Sequence, residues 1–315
     1  MKHIIKLFSL ALCAALLLSL SALAAEVPAG PADTSVLVSG QAAKQEDGSL
    51  LITNASPDAV NPEVIVRLPE DTPCVDGVTG EPMTMETVKD GDTLYIWAGP
   101  AMTMSLPPQT TAKVVVGGVP ADGAAPQYAE ITGSAVSPAP GGERRFPTGS
   151  SELTVLETAS VTPYLTRNLV TLDDLVPGSQ ILAWTNDSGK ADRIVLLPYA
   201  YAGYVTAGED GAVRVNGEKL EAGSRVLPVE DIQQTYLPLR AVAEAAGYEV
   251  DWVSGKGAVV AQAGTELFSI RPGSELAQTA DGEHSLLGSC VLEQGVTYLP
   301  AIDLAGLLQM YFCAE

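Results

Sequence analysis

The sequence predicts a mainly β protein: two related small β-barrel or sandwich domains, then an α+β module of antiparallel sheet and two helices. Three observations carry this. Short alternating apolar runs recur between turn words such as Glu46-Asp47-Gly48 and Asp90-Gly91-Asp92, the pattern of all-β domains. Residues Thr84–Trp97 align without gaps to Thr171–Trp184 at a constant offset of 87 residues, with Thr, Gly and Trp identical at matched positions. Finally, Thr235-Tyr236-Leu237-Pro238 recurs 62 residues later as Thr297-Tyr298-Leu299-Pro300, each time opening a helix-like run.

Taken in order, residues 1–25 read as a secretory signal peptide. Lys2 and Lys6 precede the apolar run Leu7–Leu20, and Ala22-Leu23-Ala24 fits a cleavage site near Ala24-Ala25. Cys13 follows the bulky Leu12, so it is not read as a lipidation site. Residues 26–33 form a Pro/Gly leader expected to be disordered. The first β domain covers 34–125, with strands at Ser35–Ser39, Ser49–Thr53 and Val64–Leu68. The second covers 126–199, with strands at Tyr128–Thr132 and Glu152–Glu157.

Residues 137–151 (SPAPGGERRFPTGSS) are rich in Pro and Gly and are expected to be a flexible insertion. Each copy then reads as a helical turn, a Gly turn and a strand ending in Trp97 or Trp184. A period of 87 residues is too long for a solenoid and suits a duplicated small domain. The shared Gly-turn and Trp-ending strand resemble small OB-like barrels of exported bacterial proteins. Leu197–Tyr204 (LPYAYAGY) is expected to join the barrels to the last module as a semi-rigid hinge.

In the last module, Asn216-Gly217 marks a hairpin and Pro238 fits the first position of a helix. Leu239, Val242, Ala243 and Ala246 repeat at i, i+3, i+4, i+7. Gly247 then ends the helix, and Tyr248, Val250 and Trp252 alternate as a half-buried strand. Helices are expected at about 239–246 and 301–310. With its NGE, LPLRAVAEAAG and EVDW words, this stretch resembles the copper amine oxidase N-terminal (stalk) domain family, over about 204–315. The resemblance implies a non-catalytic module of the kind carried by secreted bacterial proteins. Ala301-Ile302 departs from the Leu239-Arg240 pair, and no second Glu-Val-Asp-Trp strand is expected after the second helix.

The chemistry is limited by residue type. A net charge of −21 opposes binding to nucleic acid or anionic membrane surfaces. The histidines are His3 and His284, too few for the three-imidazole copper site of the amine oxidase catalytic domain, and no tyrosine lies in its Thr-x-x-Asn-Tyr motif. No nucleophile elbow, Walker loop or G-x-G-x-x-G is present. Cys74, Cys290 and Cys313 have neither disulfide-framework nor zinc spacing, and whether Cys290 and Cys313 pair is left open. Asn186–Asp192 lacks the order of a calcium loop and reads as a hairpin turn. Trp97, Trp184 and Trp252 fit either burial or a sugar-stacking platform.

No catalytic, cofactor-binding or metal residue is therefore assigned, and no cofactor. The expected function is an exported, non-catalytic modular protein with a structural, spacer or adhesive role at or near the cell envelope. Its partners would be an envelope protein or polysaccharide, without membrane insertion after signal cleavage. The alternatives are an extracytoplasmic glycan hydrolase using a carboxylate pair, and a small-ligand or peptide-binding module.

Overall fold

The computed structural model describes residues 35–54, 56, 59–139, 142–149, 151–165 and 169–315. The signal-peptide and leader segments lie outside the described residues. In the first barrel, β1 (Val36–Lys44), β2 (Leu50–Asn54), β3 (Glu63–Arg67), β4 (Cys74–Asp76), β5 (Thr93–Ala98) and β6 (Gln109–Gly117) form one sheet. The first half of β1 pairs with β5 and its second half with β2. The parallel pairing of β3 with β6 closes the sheet in the circular order β1-β2-β3-β6-β5. Period-2 alternation sends Val38, Leu50, Ile52, Val64, Val66, Leu94 and Ile96 inward.

The second barrel holds β7 (Gln127–Glu130), β8 (Val136–Ala139), β9 (Glu143–Thr148), β10 (Ser151–Pro163), β11 (Gln180–Thr185) and β12 (Ala191–Leu196). Their order is β7-β11-β12-β10-β9-β8, with β10 and β12 parallel. The sheet's two ends, β7 and β8, are successive halves of one interrupted strand. The second barrel therefore repeats the circuit of the first: β7/β8 stands for β1, and β9, β10, β12 and β11 for β2, β3, β6 and β5. The aligned stretches occupy the same place in both, and Gly91 (φ 91°) and Gly178 (φ 87°) make the same left-handed turn before β5 and β11.

One expectation is corrected here. Residues 137–151 are not a flexible insertion, because most of β8 and all of β9 lie within them. Phe146 is fully buried and pairs with Leu153 of β10, and that burial outweighs the local Pro and Gly content.

The third module has three sheets. The first contains β13 (Tyr204–Ala207), β14 (Val213–Val215) and β15 (Glu218–Lys219); the second, β16 (Arg225–Val229) and β17 (Ile232–Pro238). Helix α1 (Leu239–Ala245) leads to the third sheet, β18 (Glu249–Val253), β19 (Gly257–Gln262), β20 (Thr265–Ile270), β21 (Leu276–Thr279) and β22 (Gly282–Ser285). The strands β23 (Val291–Glu293) and β24 (Val296–Pro300) then join the second sheet. After helix α2 (Ala301–Leu307), β25 (Tyr311–Ala314) joins the first.

The two Thr-Tyr-Leu-Pro words pair with each other, antiparallel and centred on Leu237↔Leu299. This relates the halves by a local two-fold. Three corrections follow. Pro238 and Pro300 are cap residues ending strands, one position before the first helical residue, because both are held in that ladder. Helix α2 is shorter than expected, because Gln309 turns left-handed (φ 54°) at the place equivalent to Gly247 (φ 88°). A return strand does follow α2: β25 answers β18, but it pairs parallel with β13, so the module is not purely antiparallel.

Candidate functional site

The joints between modules account for two of the three tryptophans. Trp97 and Trp184 do not form an exposed platform. Trp97 is buried against Tyr128, with ring centroids 6.2 Å apart, in an apolar cluster built from both barrels. The Trp184 indole donates to the Gly77 carbonyl across the joint (2.7 Å), and the Arg193 guanidinium stacks on its ring at 4.0 Å while donating to the Val78 carbonyl. Val119 and Ala125, in the Gly117–Pro126 segment that joins the barrels, also pack into this cluster.

The Leu197–Tyr204 segment is clamped as well. The Tyr199 hydroxyl donates to the Pro177 carbonyl (2.8 Å), and Tyr201 packs edge-on against Tyr199 (5.7 Å) and Tyr311 (5.2 Å). Burial, and secondarily the Glu130 carboxylate, hold the Tyr201 hydroxyl above its ordinary pKa. Lys113 of the first barrel reaches Glu130 of the second at 3.9 Å. The side chains of all three modules thus converge around Glu130.

The polar groups weighed from sequence are largely engaged in local structure. Asn186 Oδ1 accepts from the Ser188 and Lys190 N–H groups, closing a hairpin turn. His284 is exposed on β22. Cys74, Cys290 and Cys313 are buried and unbridged, and burial pushes their thiols up to about 11, 12 and 12. They do not share a setting: Cys290 lies in the third module's core, whereas Cys313 faces Gly133 of the second barrel. Asp303 is buried at the start of α2 and accepts from the Leu287 N–H (2.8 Å). Its burial raises the carboxyl pKa, opposed by that hydrogen bond and by His284. Among the described residues, no three His, Cys, Asp or Glu side chains gather as metal ligands.

Trp252 is different. The alternation of Tyr248, Val250 and Trp252 holds, but only the first two are covered; Trp252 is 56% exposed. It stands on β18, one edge of the five-stranded sheet, beside a groove of about 490 Å³. Helix α1 supplies one wall because its spacing divides it cleanly. Leu239, Val242 and Ala243 face the core, while Arg240 and Glu244, four residues apart, face out and pair at 2.8 Å. Arg240 also donates to the Val250 carbonyl, fixing the guanidinium between helix and strand. The opposite wall is the β23–β24 hairpin, which presents the half-exposed Leu292. Its turn is tight, with Gln294 and Gly295 both at positive φ. Strand β23 is itself a sheet edge, so the groove lies between the edge strands of two sheets.

This groove falls inside the segment that comparison identifies. Residues 214–311 match the family model of the copper amine oxidase N-terminal domain. In the amine oxidases that domain is non-catalytic. The match covers about a third of the chain, from β14 to the first residue of β25, and includes both Thr-Tyr-Leu-Pro words. No curated protein matches the chain. In this copper amine oxidase N-terminal-like module, the groove is lined by one carboxylate, Glu244, already paired to Arg240.

Proposed function

We propose that this is an exported, non-catalytic modular protein that serves as a spacer or adhesive element at or near the bacterial envelope. The observation that carries the reading is the packing of both joints. Trp97, Tyr128, Leu182 and Val195 fill the first, and Tyr199, Tyr201 and Tyr311 fill the second. A chain that only tethered its domains would join them through exposed, polar or Gly-rich segments. Buried aromatic joints instead hold the modules at fixed separation, which is what a spacer requires. The amine oxidase-like module supports a non-catalytic role, and the acidic surface supports solubility after export.

The test is a distance measurement. Cys74, Cys290 and Cys313 are buried, so in the chain without residues 1–25 spin labels can be placed at Glu46→Cys in the first barrel and Glu283→Cys in the last module, both exposed positions. A single narrow distance distribution is expected. Tyr199→Phe, which removes the hydroxyl donated to Pro177, should broaden it. A broad distribution in the otherwise unaltered protein would refute the spacer reading. Fractionation of the producing cells tests the location, and protein confined to the cytoplasm would refute it.

A further inference from the structure

We infer that the groove beside Trp252 is a binding site for neutral oligosaccharide. The inference goes beyond the spacer reading and does not depend on it. Of the three tryptophans, one is buried, one is stacked under Arg193, and Trp252 alone presents an open indole face. Leaving so large an apolar ring half in water, at an uncovered strand edge, is unfavourable for folding alone. Leu292, half exposed, faces it across the groove from the opposite hairpin. An exposed indole face with an aliphatic group opposite it matches the C–H face of a pyranose ring.

The polar wall fits the same ligand. Arg240 is held by Glu244 and by the Val250 carbonyl through one terminal nitrogen. The guanidinium carries five N–H donors and the carboxylate several lone pairs, so both retain capacity for hydroxyl groups. Because the two charges cancel locally, the wall offers donors and acceptors in fixed positions without attracting an ion. With a chain charge of −21, an anionic polysaccharide would be repelled.

An extended peptide fits less well. Strand addition along β18 needs its free backbone groups, and Arg240 already occupies the Val250 carbonyl, which is one of the ways natural sheets blunt an edge. The groove's volume is in the range of small-ligand clefts. The site is open, so modest affinity is expected.

The experiment uses the full chain and three neutral probes: chitohexaose, cellohexaose and laminarihexaose. Tryptophan emission and titration calorimetry are recorded for each. At least one probe should bind saturably and shift the emission to the blue as it covers Trp252. Trp252→Ala should abolish the spectral change and weaken binding at least tenfold, with Trp252→Phe restoring part of the affinity. Glu244→Gln should weaken binding while leaving the thermal midpoint within a few degrees, since the pair is exposed. The inference is overturned if no probe binds at 10 mM, or if Trp252→Ala binds as well as the parent. It is equally overturned if an extended Lys-containing peptide binds the groove and the hexasaccharides do not. The label distances stand apart from all of these outcomes.

Discussion

Helix α2 offers a sharp test of what holds the last module together, because neighbouring positions have opposite surroundings. Leu304 is fully buried in the module core, whereas Ile302 on the same helix is 58% exposed. Leu304→Ala removes three buried carbons and leaves a cavity bounded by side chains from several elements, at a cost of about 3 kcal/mol. At roughly 4–5 °C per kcal/mol for a module near 100 residues, the unfolding midpoint should fall by about 12–15 °C. Ile302→Ala removes mostly hydrated surface and should cost under about 0.5 kcal/mol. Because the three modules need not unfold together, the readout must belong to this one. Cys290 supplies it: its thiol is buried in the same core, so its labelling by a thiol reagent during a thermal ramp reports opening of the module. Cys13, Cys74 and Cys313 are replaced by Ala in every variant, so that one thiol reports. Equal shifts for the two variants, or no shift for Leu304→Ala, would refute the assignment of α2 to the core.

Two further predictions concern the same region. Burial raises the Asp303 carboxyl pKa above its unfolded value, so the folded module holds that proton more tightly. Its contribution to stability is full below the unfolded pKa and is lost as pH rises through the folded pKa. Asp303→Asn keeps an acceptor for the Leu287 N–H and should stabilise the module at neutral pH while flattening this pH dependence. Urea midpoints from pH 3 to pH 8 check both; an Asn variant that is less stable at pH 7 would contradict the argument. Gln309 occupies the left-handed position that Gly247 fills after α1. Gln309→Gly should therefore raise stability by about 0.5–1 kcal/mol, read from the same urea curves.

Much of this architecture was legible because it rests on local rules. Gly and Asp turns marked the strands, the 87-residue correspondence located the second barrel, and Leu239, Val242 and Ala243 announced the buried face of α1. The misread parts depend on distant contacts. Residues 137–151 looked too rich in Pro and Gly for ordered strands, but burial of Phe146 against Leu153 decides that segment. Period-2 alternation placed Trp97 and Trp184 on one face of a strand, but it cannot tell a barrel's own core from a neighbour's surface. The groove was hidden for a related reason: alternation gives the face Trp252 occupies, not where the cover over that face ends. Its exposure follows from β18 lying at a sheet edge, beyond the cover that buries Tyr248 and Val250.

The interrupted first strand of the second barrel has a consequence for how such a protein can diversify. In the first barrel the equivalent β1 runs unbroken for 9 residues. In the second, the break between β7 and β8 is where the last module seats: Gly133 lies against Cys313, and the Ser134 hydroxyl meets the Glu315 carboxylate. A side chain at Gly133 would bring a Cβ to 2.9 Å from Pro147, so the seat tolerates little elaboration. The duplicated barrels have thus ceased to be interchangeable parts. One kept its seam whole, and the other opened its seam as a socket for a different kind of neighbour. Exchanging the two copies would preserve both barrels yet leave the last module without a berth.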